Sequence, residues 1–133
     1  MFVDPVTGAL IIVTKPEAGG RAIIYHAPAA SLVDGATVNL AEVGAFQLDR
    51  GLFVTAADID SSGALILFRG YNEVWLWERT DLGFVETFTA EPCRTPSTAE
   101  VQGEAISFGT GYSYYTLSEG SEPDINYVFS IFD

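Results

Sequence analysis

Three glycine-containing turns, each followed at once by a run of strand-forming residues, constrain the fold of this chain most. The turns contain Gly8, Gly63 and Gly111, and the runs that follow them are 9–13, 64–68 and 112–116. Glycine adopts the positive φ that tight turns require. Short runs rich in β-branched and aromatic residues, bounded by turn signals, are typical of strands. The sequence therefore predicts an all-β chain built from repeated hairpins.

The hairpins belong to a longer repeating unit. The clearest hairpin joins predicted strands at 54–59 and 64–69, and a further strand follows each turn glycine, at 21–26, 74–77 and 125–130. A fourth strand is predicted only in the first two units, at 37–46 and 84–89. We therefore expect one domain made of about two and three-quarter copies of a four-stranded antiparallel unit, spanning about 1–48, 49–100 and 101–133.

The second strand of the middle unit indicates how the units pack. Residues 64–68, Ala-Leu-Ile-Leu-Phe, are apolar at every position and do not alternate with polar residues. A strand that is apolar on both faces has to be covered on both faces. Small antiparallel sheets stacked face to face around an axis, as in a β-propeller, provide that cover. A sandwich or a simple barrel is the alternative, although a sandwich usually leaves one face of each sheet polar.

Short motifs add a resemblance to a known class. Residues 57–65 resemble the I-S-P-D-G-x-x-L hairpin of bacterial WD40-like propeller proteins with TolB-type repeats, and 74–78 resemble their third strand, which often ends in Trp-Asp. Residues 102–108 and 115–120 are similar to the E-G-I…S-E-G blade of secreted bacterial propellers near the gluconolactonase and esterase-like phytase families.

The resemblance implies about three antiparallel blades of a β-propeller, belonging to the C-terminal portion of a seven-bladed type of ring. It also implies that further blades, or self-association, cover the end blades, because an exposed blade face and unpaired strand edges favour association. Full-length members are secreted or periplasmic. The N-terminal residues of this chain lack the basic and apolar regions of a signal peptide.

Charge limits the partners. The 133 residues include six Lys and Arg against 18 Asp and Glu, a formal net charge of −12. Phosphate backbones and anionic membrane surfaces require basic patches, so no nucleic-acid partner is expected. The apolar runs are far shorter than the ~20 residues of a membrane-spanning helix, so no membrane insertion is expected. Cys93 is the single cysteine, which excludes an intrachain disulfide.

Calcium is the one cofactor that the sequence suggests, at two places. Asp58 and Asp60 begin a D-x-D-x-S-G pattern typical of calcium loops, but Arg69 stands where an EF-hand has its bidentate Glu, so an EF-hand is excluded. Turn formation by Asp60 explains the same residues. The resemblance implies that Glu104 begins an inner strand at the channel, where gluconolactonase-like families have a metal-binding glutamate. The alternative is a Glu104 that only lines the channel.

The remaining candidates point to binding rather than catalysis. Glu119, Glu122 and Asp124 lie in one predicted hairpin loop and form a candidate surface for a ligand or partner. His26 and Cys93 have no catalytic motif around them, so no catalytic residue is assigned. We expect a non-catalytic propeller module that binds a protein or a small molecule. The alternative function is a metal-dependent hydrolase of the phytase or lactonase kind, with Glu104 at the channel.

Overall fold

The computed structural model describes residues 1–16, 20–47, 53–81 and 83–132, and these contain strands and 3₁₀ turns but no α-helix. The strands are β1 (Phe2–Val3), β2 (Leu10–Val13), β3 (Arg21–Ala27), β4 (Ala41–Gln47), β5 (Ala56–Ile59), β6 (Leu65–Arg69), β7 (Val74–Glu78), β8 (Cys93–Arg94), β9 (Gly103–Phe108), β10 (Tyr114–Ser118) and β11 (Ile125–Val128). The 3₁₀ turns are Ala29–Ser31 and Glu86–Thr89. The all-β prediction is confirmed.

The strands form three separate antiparallel meanders in chain order. Sheet 1 has the order β1-β2-β3-β4, sheet 2 has β5-β6-β7-β8, and sheet 3 has β9-β10-β11. Neighbours in sequence are neighbours in each sheet, as expected for strands joined by short connections. The sheets form an open stack, and sheet 3 has three strands within the described residues.

Sheet 2 lies between the other two, and its second strand is covered on both faces. Ile66 and Phe68 join the core shared with sheet 1, whereas Leu67 joins the core shared with sheet 3. All three side chains have no solvent exposure. Alternate residues of a strand point to opposite faces. The continuous apolar run at 64–68 is therefore explained by a stack in which the middle sheet has a neighbour on each side.

The three turn glycines adopt the positive φ that the sequence predicts, at 70° for Gly8, 76° for Gly63 and 65° for Gly111. The first two turns share one design. Asp4 accepts hydrogen bonds from the Val6 amide and the Thr7 hydroxyl, and Asp60 accepts bonds from Ser62 and from the Leu65 amide. Such bonds between a turn aspartate and nearby backbone stabilise the turn without help from the sheet.

The predicted fourth strand of the second unit, at 84–89, is wrong. The segment forms the 3₁₀ turn Glu86–Thr89, and Cys93–Arg94 supplies the fourth strand instead. The Thr87 hydroxyl donates to the Gly83 carbonyl at 3.0 Å, and the Thr89 hydroxyl donates to the Glu86 carbonyl at 2.7 Å. Local side-chain bonds of this kind compete with ladder formation. The side chain of Phe88 is buried in the core between sheets 1 and 2, although Phe88 belongs to no strand.

Aromatic side chains fill the interface between sheets 1 and 2. The ring centroids of Phe68 lie 5.2 Å from Phe46, 5.1 Å from Trp77 and 5.3 Å from Phe88. Trp75 and Trp77 are both buried. Aromatic pairs at these separations add about 0.5–1.5 kcal/mol each beyond the area that they bury. The period-two tryptophans of the third strand are therefore core residues.

Candidate functional site

One lysine links all three sheets at one end of the stack. Lys15 follows β2 of sheet 1, and its Nζ lies 2.9 Å from the hydroxyl of Tyr71 and 3.3 Å from Oε1 of Glu104. Tyr71 lies in the turn after β6, and Glu104 lies at the start of β9. We call this end of the stack, where the β2–β3, β6–β7 and β10–β11 connections lie, the Lys15 end. The contacts show that the three sheets are stacked in the same direction.

Electrostatics favours a charged Lys15. The hydrogen bond to Tyr71 is the largest cause that raises the pKa of Lys15, and the bond and the charge of Glu104 raise it further against a partial desolvation. The Lys15 Nζ also lies 4.9 Å from the centroid of the Tyr71 ring, within cation–π range. The side chains of Lys15 and Glu104 are 46% and 31% exposed, so solvent screens their attraction.

The carboxylate of Glu104 contacts the ammonium group of Lys15. A divalent cation of the calcium type needs six to eight oxygen ligands. Among the described residues, no three His, Cys, Asp or Glu side chains lie close enough together to hold a metal ion. Glu104 lies at the start of β9, and its place at a channel stays a prediction. Its partner Lys15, 89 positions away, was not foreseen because no local pattern connects them.

Asp58 and Asp60 both have structural partners, and turn chemistry explains those of Asp60. Asp58 Oδ2 accepts a hydrogen bond of 2.8 Å from the backbone amide of Phe108 and so ties β5 to β9. Burial opposes ionisation of Asp60, but hydrogen bonds from Ser62 and from nearby backbone amides outweigh it and lower the pKa of Asp60. Both carboxylates line a shallow depression with the third turn, around Gly109 and Gly111. Calcium at this position stays a prediction.

The acidic loop, residues 119–124, joins β10 to β11 at the Lys15 end. Glu119, Glu122 and Asp124 are all exposed, and they line an open groove together with Glu100 and Asn126. The groove continues to a carboxylate that is itself buried, because the side chain of Glu100 is only 4% exposed. Residues 101–133 contain five Asp and Glu and no Lys or Arg. The potential at this groove is therefore negative.

Beneath the groove lies a buried ionic network that the sequence analysis missed. Arg69 Nη2 lies 2.9 Å from Glu100 Oε2, and the Arg69 side chain is 1% exposed. Glu100 Oε1 accepts hydrogen bonds from Thr116 and Asn126 of sheet 3. Within the described part of the chain, Nε and Nη1 of Arg69 have no hydrogen-bond partner. The pair therefore connects the end of β6 in sheet 2 to sheet 3 through charge.

Two further residues adapt to this buried arginine. Gly103 lies against the guanidinium, so that a Cβ at this position would overlap Arg69. Tyr114 is fully buried, and its hydroxyl bonds to Thr95 and to the Pro96 carbonyl. Burial raises the pKa of Tyr114, while the Thr95 bond and the Arg69 charge act in the opposite direction. The only sequence signal for this arrangement was an arginine that ends an otherwise apolar strand.

A cleft also opens between sheets 1 and 2, beside β4 and β8. Phe46, Trp75 and Trp77 form its aromatic wall, and Glu91 and Arg94 stand at its edge. The Trp77 indole N–H donates to the Ala90 carbonyl at 3.0 Å, which leaves this ring no free donor for a ligand. The wall consists of core side chains, so the cleft is best explained by packing of the 3₁₀ turn Glu86–Thr89 against β4 and β7.

The two outermost sheet faces are apolar. On sheet 3 the register places one set of side chains on the face away from sheet 2: Ala105, Ser107, Tyr115, Leu117, Ile125 and Tyr127. Phe129 follows β11 and stacks edge-on against Tyr127 at 4.7 Å. On sheet 1 the outer face carries Val3, Leu10, Ile12, Ile23 and Tyr25, together with the exposed ion pair of Arg21 and Glu42. These faces are the exposed counterparts of the faces that sheet 2 buries.

Comparison with protein-family models, curated proteins and solved structures finds no match to this chain. In the described ranges, no helix is long and apolar enough to cross a membrane.

Proposed function

We propose that this chain is a non-catalytic binding module of the β-propeller type, and that its Lys15 end binds a positively charged ligand. The acidic loop carries the proposal, because three exposed carboxylates line one groove in a part of the chain without Lys or Arg. The chemistry that fits is a cationic nitrogen, either on a basic segment of a partner protein or on a small amine. Charge complementarity of this kind favours specificity and fast association.

The propeller arrangement is supported by the way the sheets stack. Each meander packs face to face on the next, in chain order and in the same direction. In a propeller the loops of successive sheets meet at one end of the axis, and the contacts of Lys15 with Tyr71 and Glu104 have this character. The resemblance to TolB-type repeats points the same way.

The absence of a catalytic role is supported by the state of the carboxylates. Glu104 is held by Lys15, Glu100 by Arg69, and Asp58 by a backbone amide. A general acid or a nucleophile needs a neighbour that activates it. These three groups have neighbours that hold them in place. A hydrolase centred on Glu104 would need a metal, and among the described residues no three His, Cys, Asp or Glu side chains lie close enough together to hold one.

The proposal is tested by titrating ¹⁵N-labelled protein with a hexalysine peptide at low ionic strength. We expect amide shifts confined to the acidic loop and the Lys15 end, while the indole signals of Trp75 and Trp77 stay in place. A variant with Glu119→Gln, Glu122→Gln and Asp124→Asn should bind about tenfold more weakly, from three exposed pairs of about 0.5 kcal/mol each.

The matched control removes three exposed carboxylates elsewhere, with Asp34→Asn, Glu78→Gln and Glu86→Gln. Both variants change the net charge equally. If the control weakens hexalysine binding as much as the loop variant does, the peptide responds to net charge alone and the proposed site is wrong. Hexaglutamate should bind neither the wild type nor either variant.

A further inference from the structure

We propose that two copies of this chain join head to tail, the outer face of sheet 3 in each copy packing on the outer face of sheet 1 in the other. The product is a closed ring of six sheets with two identical contacts. The inference rests on the propeller arrangement proposed above, and it commits to a second copy of this chain as the molecule that covers both faces.

The outer face of sheet 3 has the composition of a buried face. Ile125 is 69% exposed and Phe129 is 82% exposed, and beside them the ring centroids of Tyr115 and Tyr127 lie 4.8 Å apart. Aromatic residues are enriched where protein surfaces associate, and contiguous apolar patches are uncommon on monomers. The β11 edge also lacks a further strand within the described residues, which leaves backbone groups unpaired.

The outer face of sheet 1 matches it. Val3 is 54% exposed, and Leu10, Ile12, Ile23 and Tyr25 are each partly exposed. Arg21 lies on the same face of β3, at the Lys15 end; its side chain is 62% exposed, and its Nη1 lies 3.9 Å from Oε1 of Glu42 in the same sheet. A neighbour stacked in the same direction would bring its acidic loop to this end. The charges of Arg21 and of the loop then have opposite signs across the contact.

The contact continues a pattern that the chain already contains twice. Sheet 1 packs on sheet 2 and sheet 2 packs on sheet 3, through apolar faces and in the same direction. The free faces are the two ends of this series. Stacking sheet 3 of one copy on sheet 1 of the next repeats the same step and needs no new type of contact.

The number of sheets selects the dimer. Propellers close with about four to eight sheets. The described residues form three sheets, so one copy of these 133 residues falls short of that range, two copies give six, and three copies exceed it. Head-to-tail contacts that close under a two-fold rotation give a finite particle, whereas contacts that do not close give filaments.

Light scattering coupled to size-exclusion chromatography at several protein concentrations tests the proposal. We expect a species of twice the 14.3 kDa chain mass. Ile125→Asp combined with Phe129→Asp on sheet 3 should raise the dimer dissociation constant by about 100-fold or more, because charges without partners would be buried. Val3→Asp on sheet 1 should have an effect in the same direction. Near-ultraviolet circular dichroism checks that each variant is folded.

Two controls separate this dimer from other associations. Val101→Asp and Val33→Asp change side chains that are 95% and 65% exposed but lie on neither face, and both should stay dimeric. Mixing the sheet 3 variant with the Val3→Asp variant should restore dimers, since one contact remains intact. A dimer through two copies of sheet 3 would instead leave Val3→Asp dimeric, which overturns the head-to-tail contact.

A wild-type monomer at every concentration, or species that grow beyond the dimer, would overturn the ring. The hexalysine titration remains measurable on a monomer, so failure of the ring and failure of the ligand site are distinguishable.

Discussion

Removing the charge of Glu100 is the sharpest test of how sheets 2 and 3 are held together. Glu100→Gln keeps the shape of the side chain and an oxygen that can accept from Thr116 and Asn126. It leaves Arg69 charged, 1% exposed and without a counter-ion. Nε and Nη1 of Arg69 already lack hydrogen-bond partners among the described atoms, so no nearby group can take over.

The expected cost follows from the burial of both partners. Breaking a buried ion pair by removing one partner typically costs about 3–5 kcal/mol. For a chain of this length each kcal/mol lowers the Tm by roughly 3–5 °C, so a drop of about 9–25 °C is expected. Arg69→Met should cost less, because Glu100 keeps two hydrogen bonds to sheet 3. The double variant should recover about 2 kcal/mol of the summed cost.

Urea unfolding monitored by the fluorescence of Trp75 and Trp77 measures these differences at one protein concentration. Both indoles lie in the core of sheet 2 and become exposed on unfolding. Glu122→Gln, in the exposed acidic loop, is the matched control and should change stability by less than about 0.5 kcal/mol. Additive costs in the double variant, or a Glu100→Gln protein as stable as the control, would show that the pair does not connect the sheets as described.

Three further outcomes are expected. Asp4 has a lowered pKa because bonds from Arg79, Thr7 and Val6 outweigh its burial; the stability that it contributes is present above the unfolded value of about 3.8 and is lost as the pH falls through the lower folded value. The difference in urea midpoint between wild type and Asp4→Asn should therefore shrink below that pH. Gly103→Ala should lower the Tm by several degrees, since its Cβ would displace the Arg69 guanidinium. Gly35→Ala should lower it less, because a Cβ there meets no neighbouring atom and the only cost is a φ of 73°, which alanine adopts less readily than glycine. Calcium should change the Tm of wild type and of Glu104→Gln by the same amount, because calcium bound at Asp58 and Asp60 would not involve Glu104; a rise abolished by Glu104→Gln would revive the hydrolase alternative.

The hairpins and the stack were predictable because their signals are local. A turn aspartate and a turn glycine fix each hairpin within a few residues, and Asp60 with Gly63 behaves as the sequence indicates. The apolar run at 64–68 indicates by itself that this strand is covered on both faces, whichever sheets cover it. Both inferences need no knowledge of the rest of the chain.

The site was less predictable because its contacts span the chain. Lys15 meets Glu104 across 89 positions, and Arg79 meets Asp4 across 75. From the sequence alone, an arginine at the end of a strand, such as Arg69, is expected at the surface. Glu100 lies in a segment without any motif. The wrong strand at 84–89 has a different cause, since threonine hydroxyls donate to nearby backbone carbonyls and stabilise a 3₁₀ turn in place of a strand.

The two sheet interfaces of the chain follow one scheme, which bears on the proposed third. Between sheets 1 and 2, Arg79 donates to both oxygens of Asp4, at 2.8 and 3.2 Å, beside an apolar core. Between sheets 2 and 3, Arg69 and Glu100 occupy the equivalent role beside a second apolar core. Apolar faces are non-directional, so they drive stacking without fixing which sheet follows which. A single oriented ion pair distinguishes the correct neighbour from an incorrect one, because an incorrect neighbour leaves a charge unpaired. If the contact between copies is built on the same scheme, Arg21→Gln should weaken the dimer less than Ile125→Asp with Phe129→Asp does, yet should admit species beyond the dimer that wild type excludes.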